Sequence, residues 1–306
     1  MISVIIPTYN AEKYIERLLD ALNNQTMRPD EVIVVDSSSS DRTVNIAVSK
    51  GARVISIPKN TFDHGGTRTL AGKEAKGDIL VYFTQDAIPA NNRAIEFLTL
   101  PLEKDKEIAA TYGRQIPYND TDLFGKHLRL FNYPEKSFEK NLKDREHMGF
   151  KVAFLSNSFA AYNRNLLESV GWFPEGVIFG EDSVVAARLL LKGYKIKYVA
   201  EAKVYHSHSY SVFQEFRRYF DIGVFHRTQA WMLDTFGKPE KEGLKYVKSE
   251  LKFLLNQKAL YFLPKFLLKN LAKYVGYKVG YNFDKIPMNI RKYFSMNRQY
   301  WEKEKN

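Results

Sequence analysis

Three polar strings in this chain each follow an apolar run. Thr8-Tyr9-Asn10 follows Ile5-Ile6-Pro7, Asp36-Ser37 follows Val32 to Val35, and Thr84-Gln85-Asp86 follows Ile79 to Phe83. In open α/β sheets, ligands sit in the crevice beyond the carboxyl ends of the strands. Hydroxyl, amide and carboxylate groups at three such ends make a polar crevice the size of a nucleotide, built from Thr8, Asn10, Asp36, Ser37 and Asp86. Asp86 has a second reading, as the cap of a helix starting near Asn91, and Asp36 equally could cap the turn after it. Gly180-Glu181-Asp182 opens another helix, where the dipole stabilises negative charge.

The elements that carry these groups alternate. Ser3–Pro7, Glu31–Asp36, Ala52–Ile57 and Ile79–Phe83 read as strands. Helical patterns lie between them: one with Tyr14, Ile15, Leu18, Leu19 and Leu22 on one face, one from Asp41 to Lys50, and one from Gly65 to Lys76. The strands are apolar on both faces, which implies a mostly parallel sheet covered by helices on each side. Further along, 91–100 reads as a helix, Ile108–Arg114 as a strand, and 117–150 as an irregular insertion that either covers the site or is a surface excursion. Leu155–Tyr162 reads as a strand, Gly180 to Lys192 as a helix, and Tyr194–Val199 as a strand. Val212 to about Phe236 reads as one long helix.

The 306 residues suffice for one large domain with an appendage. Cysteine is absent, which excludes disulfide and thiolate chemistry. The first residues enter a strand without a basic-then-apolar leader, and no run of about 18 apolar residues occurs. A cytoplasmic protein without a membrane-spanning helix is the expectation. The net charge of +11 is uneven: from Lys238 onward, 14 Lys and 2 Arg stand against 5 Glu and 1 Asp, a net +10. That tail clusters Leu and aromatics with a Lys every four to seven residues. It suits a basic amphipathic helix on an anionic membrane surface. A helix packed on the rest of the protein with its lysines in water is the alternative, as is a homodimer contact. Scarce Arg and a high apolar share argue against nucleic acid.

Ile5-Ile6-Pro7-Thr8-Tyr9-Asn10, then Val34-Val35-Asp36 with Asp41-Arg42-Thr43, resembles the nucleotide-binding half of the family 2 glycosyltransferases, which have the GT-A fold. Phe62-Asp63-His64-Gly65-Gly66-Thr67-Arg68 with Phe83-Thr84-Gln85-Asp86-Ala87 resembles the rhamnosyltransferase branch. So do Tyr205-His206-Ser207-His208 and Phe216-Arg217-Arg218-Tyr219-Phe220-Asp221. Five strings in order over some 200 residues make the resemblance specific. It implies a catalytic domain over 1–236, with a nucleotide-sugar half to about 115 and an acceptor half after it. A basic helical region over 237–306 would follow.

The resemblance also implies roles. Asp36 would accept the pyrimidine N3–H, with Thr8 and Asn10 lining the base and ribose pocket. Arg68 would reach the diphosphate, and His64 with the free amides of Gly65 and Gly66 would serve the same anion. Asp86, with Gln85 beside it, takes the place of the last acid of an Asp-X-Asp motif whose first acid is missing. Asp86 and His206 would hold Mg2+ or Mn2+, His208 being the lesser choice. Asp182 matches the general base that takes the acceptor hydroxyl's proton in an inverting transfer. Glu181 would orient the site or touch the acceptor, and Trp172 and Asn157 would touch the acceptor.

The expected activity is transfer of L-rhamnose from dTDP-β-L-rhamnose to a hydroxyl of a saccharide, lipid-linked in the fuller reading, at the inner face of the cell membrane. A UDP-hexose donor is the rival within the class. A nucleotide-dependent oxidoreductase is disfavoured because Pro7-Thr8-Tyr9-Asn10 stands where G-x-G-x-x-G would be needed. A non-catalytic basic binding protein would leave Asp36, Arg68, Asp86 and Asp182 without a shared reason.

Overall fold

The computed structural model describes residues 1–237 and 240–303. Strand β1 (Ile2–Thr8) is followed by α1 (Glu12–Asn23), β2 (Glu31–Asp36), α2 (Thr43–Ser49), β3 (Arg53–Ser56), α3 (His64–Glu74) and β4 (Ile79–Phe83). β3, β2, β1 and β4 lie side by side and run parallel. Every residue of β4 is buried, as a strand covered on both faces requires. The register pairs Thr8 with Asp36, so the polar ends of β1 and β2 finish together.

The second half is mixed. It contains β5 (Ile88–Pro89), α4 (Ala94–Lys104), β6 (Ile108–Ile116), α5 (Leu123–Asn132), β7 (Phe138–Lys140), α6 (Arg145–Met148), β8 (Phe159–Asn163), α7 (Arg164–Ser169), α8 (Glu181–Leu191) and β9 (Lys195–Tyr205). β8 runs antiparallel between β4 and β6, and β6 pairs parallel with β9. β5 and β7 add to β9 antiparallel. The nine strands form one sheet, a parallel half joined to a mixed half.

Several boundaries differ from expectation. The irregular stretch 117–150 contributes α5 and an edge strand, β7. The strand expected from Leu155 begins at Phe159, because Ser156 and Asn157 leave the ladder and spend their polar groups on side chains described below. The strand expected over Tyr194–Val199 continues to Tyr205, past a register shift at Gly113/Arg114 of its neighbour. The long helix is two, α9 (Val212–Thr228) and α10 (Ala230–Phe236), broken where Gln229 leaves helical geometry at φ −110°, ψ 42°.

The C-terminal region is helical: α11 (Glu240–Asn256), α12 (Leu263–Tyr281), α13 (Met288–Phe294) and α14 (Arg298–Lys303). α12 lies directly on α9. A Cβ on Gly276 or Gly280 would overlap the carbonyls of Phe216 and Phe220, and one on Gly223 would overlap the Tyr277 backbone. Only residues without a side chain allow the two backbones to come this close. Trp301 is fully buried in the main core, against Phe220 and Phe283. The reading that tail lysines stay in water fails for two of them. Lys269 and Lys273 are buried, pairing with Glu215 at 3.4 Å and Glu250 at 3.6 Å. Among the described residues no helix is long and apolar enough to cross a membrane.

Candidate active site

Asp86 is not a helix cap. The helix after it starts at Ala94, and the intervening segment crosses to the far strand, where Ile88 pairs with Tyr205 at the end of β9. That crossing sets Asp86 beside the residues that continue β9. His206 and His208 are two apart on extended chain, so both point to one face. Nε2 of His206 lies 3.4 Å from Asp86 Oδ1, and Nε2 of His208 lies 3.5 Å from Oδ2.

The proton on His206 can be placed. Arg129 Nη1 donates to Gln115 Oε1 at 2.7 Å, and Gln115 Nε2 donates to Ser156 Oγ at 3.0 Å, so Oε1 is an acceptor. His206 Nδ1 sits 2.8 Å from that oxygen and must donate to it. Burial lowers the basicity of His206 and of His208, the latter to about 4. A neutral His206 with its proton on Nδ1 turns the Nε2 lone pair toward Asp86. Burial by itself would raise the Asp86 carboxyl; what holds it down is positive charge on the histidine side, which a bound cation would supply when both rings are neutral. A lone pair therefore faces an anion. The three ligand atoms lie within 4.8 Å of one another, and this donor set fits a divalent cation.

A second group of charges surrounds Asp182 at the start of α8. Asp182 Oδ2 accepts the Asn157 N–H at 3.0 Å and Oδ1 accepts the Ser183 N–H at 2.7 Å. Burial, then the neighbouring Glu181 charge, push its carboxyl up to about 7. Glu181 is the opposite case. It is buried, but the Arg68 guanidinium at 3.1 Å keeps it ionised, with a hydrogen bond from Asn157 Nδ2. Two adjacent carboxylates thus have their affinities for a proton driven apart, a pattern that assigns the weaker acid as the base. Ser156 and Asn157 are consecutive, so a hydrogen-bonded line runs from His206 through Gln115 and this dipeptide to Asp182.

Several expected contacts are spent inside the protein. Arg68 is committed to Glu181 and to the His64 carbonyl, because a buried carboxylate needs a countercharge. The amides of Gly65 and Gly66 are not free: Asp63 caps them at 3.0 and 2.7 Å. Gly65 is a glycine for another reason, since a Cβ there would overlap the Pro174 carbonyl. Asn157 is buried, its amide used by Tyr162 and Glu181, so it positions the acids and does not reach an acceptor. Buried Glu181 is likewise closed to one. Trp172 is in the core behind the site, with Phe173. Gln85 clamps the Tyr9 backbone through both amide atoms, at 2.9 and 3.3 Å. Asp36 accepts from Thr8 Oγ1 and from Ser39, and Asn10 holds the same loop through the Ser40 amide. These residues preform the strand-end crevice.

Sequence reasoning missed Gln115 and Arg129, which carry no motif, and ranked His208 too low although the two-residue spacing already put it on the His206 face. It also missed Asn297. Its Nδ2 donates to the Ile178 carbonyl at 2.9 Å, and its Oδ1 lies 3.5 Å from His64 Nε2. Next to it, Gln299 donates to the Lys59 carbonyl and Lys303 to those of Thr61 and Phe62, at 2.9 and 2.8 Å. The C-terminal segment thereby fastens the loop before α3 to the loop before Asp182.

A parallel nucleotide half, a mixed second half, a strand-end acid facing two imidazoles and a raised carboxyl at a helix start define a sugar-transfer site on a GT-A scaffold. The chain belongs to glycosyl transferase family 2, whose model matches residues 3–171; the model of glycosyl transferase family group 2 matches 95–269. It is 45% identical over 302 residues to the O-antigen chain rhamnosyltransferase RfbN of Salmonella typhimurium, covering 98% of this chain and 96% of that one. It is 44% identical to the O-antigen chain rhamnosyltransferase WbaN of Salmonella anatum, covering 98% and 95%. Among solved structures, the mannosyltransferase PcManGT of Pyrobaculum calidifontis, in complex with GDP-Man and Mn2+, superposes with a TM-score of 0.64 at 20% identity, covering 93% of this chain and 87% of that one. The protein is a glycosyltransferase.

Proposed function

We propose that the enzyme transfers L-rhamnose from dTDP-β-L-rhamnose to a hydroxyl of a lipid-linked O-antigen-type saccharide, with inversion. The observation that carries this reading is near full-length similarity, at 44–45% identity, to two O-antigen chain rhamnosyltransferases. Asp182 accepts the acceptor hydroxyl's proton as its oxygen attacks the anomeric carbon on the face opposite the leaving diphosphate. A carboxyl with an affinity near neutrality is matched to that task. Glu181 keeps Asp182 basic, and Arg68 keeps Glu181 ionised. Asp36, Thr8 and Asn10 form the wall against which the pyrimidine nucleoside rests.

Asp86, His206 and His208 hold the divalent cation. One carboxylate with two imidazoles favours Mn2+ over Mg2+, because imidazole is the softer ligand. When bound, the cation supplies positive charge to the leaving diphosphate. Gln115 keeps the His206 lone pair turned toward it.

A donor screen following nucleotide release tests the reading. Turnover with dTDP-L-rhamnose and Mn2+ is expected, and turnover only with UDP-hexoses would sink it. NMR of the product then reports the anomeric configuration, α for inversion.

A further inference from the structure

α12 is built inside out. Its buried positions are Phe266, Lys269, Lys273, Gly276 and Gly280, whereas Leu267, Leu268, Leu271, Tyr274 and Val275 are exposed. Leu267 is 65%, Leu271 58% and Tyr274 62% exposed. These outer residues follow i, i+1, i+4, i+7 and i+8, a continuous stripe along one face. Just before the helix, Leu260 and Tyr261 are also exposed.

The orientation is fixed from within. Lys269 is held by Glu215 and Asp122, and Lys273 by Glu250. Asn270 Nδ2 donates to Glu250 at 2.8 Å. The two glycines let only this face meet α9. Rotating the helix to hide its leucines would strand these charges and drive side chains into α9. Burying ion pairs is a poor way to gain stability. An arrangement that does so while leaving leucines outside makes sense when the outer face meets something apolar.

We infer that the outer face of α12, with Leu260 and Tyr261, docks on an anionic phospholipid bilayer. The surrounding charge selects this occupant. Leu263–Tyr281 contains no Asp or Glu, Lys258 is exposed ahead of it and Lys278 is exposed in its last turn, and the C-terminal region carries a net +10. A second copy of this chain would bring the same positive charge face to face, whereas a negatively charged lipid surface complements it. Tyrosines beside the leucines suit the headgroup boundary. α9, on which α12 packs, starts four residues after His208, so the docked face lies one short connection from that histidine.

The test is flotation of the full-length protein with vesicles of phosphatidylglycerol and phosphatidylethanolamine, and with neutral phosphatidylcholine vesicles. The wild type is expected to float with the anionic vesicles and far less with the neutral ones. Leu268→Glu/Leu271→Glu is expected to weaken partitioning at least tenfold, with thermal unfolding and dTDP binding unchanged. Lys258→Glu/Lys278→Glu is expected to lose only the preference for anionic lipid. Equal flotation of the leucine variant, or equal binding of the wild type to neutral vesicles, would overturn the inference. So would a wild-type dimer that the leucine variant turns into a monomer while vesicle binding persists.

Discussion

The two arms of the site treat their carboxylates differently. Around Asp182 and Glu181 every charge has a partner from the protein: backbone amides, Asn157 and Arg68 complete it. Around Asp86 an anion and an imidazole lone pair face each other, kept so by Gln115 and Arg129. The first arm is finished by folding alone, whereas the second, in the function proposed above, would be finished by a cation. Catalysis by proton transfer needs a base whose surroundings do not rearrange, and cation binding needs ligands that gain from it.

Breaking the finished arm has the largest effect. Asp182→Asn is expected to lower turnover by about 10²–10⁴-fold while dTDP still binds, measured by single-turnover assay and calorimetry. Unchanged turnover would remove Asp182 from the base role. Arg68→Met leaves Glu181 buried without its countercharge and is expected to cost about 3–5 kcal/mol of stability in urea unfolding. Arg68→Met/Glu181→Gln should recover much of that loss.

The unfinished arm gives smaller, metal-specific effects. His206→Ala or Asp86→Asn is expected to weaken Mn2+ binding by more than about 100-fold, read by electron paramagnetic resonance, because an outer partner alone is worth about 10–100-fold. Gln115→Leu should fall in that lower range, and Gln115→Glu, which keeps the acceptor for Nδ1–H, should retain most of the affinity. Equal losses for both Gln115 variants would break the proposed proton placement.

The smallest expected effect is a shift in pH dependence. Asp182 protonates below about 7 and then cannot accept a proton, so kcat/KM should rise with pH through that value. Glu181→Gln removes the like charge that helps raise it, and the acid limb should move to lower pH. An unmoved limb would detach Glu181 from the base.

The parallel half was legible from sequence because its strands are unbroken apolar runs and its helices show one apolar face. The second half was less so, since β7 has three residues and β9 changes partners along its length. At the site, a strand end located Asp86 and a helix start located Asp182, whereas His206 was singled out only through the family resemblance. Arg68 was found but given the wrong neighbour: its charge is visible in a sequence, whereas the buried Glu181 that claims it, 113 residues later, is not. Gln115 and Arg129 matter through the orientation of one ring nitrogen, which no spacing records. In α12 the alternative that kept the lysines in water fails for Lys269 and Lys273, because a periodic pattern has no sign until the neighbouring helix supplies one.

The fastening of the loop before α3 by Gln299 spans 240 residues of chain. At synthesis rates of roughly 5–20 residues per second, that separation is roughly 12–48 s. For that interval the loop before α3 exists without the segment that ties it toward Asp182. That fastening is therefore one of the last contacts the growing polypeptide can make, long after the strands that join its two halves, β4 and β8, have been synthesised.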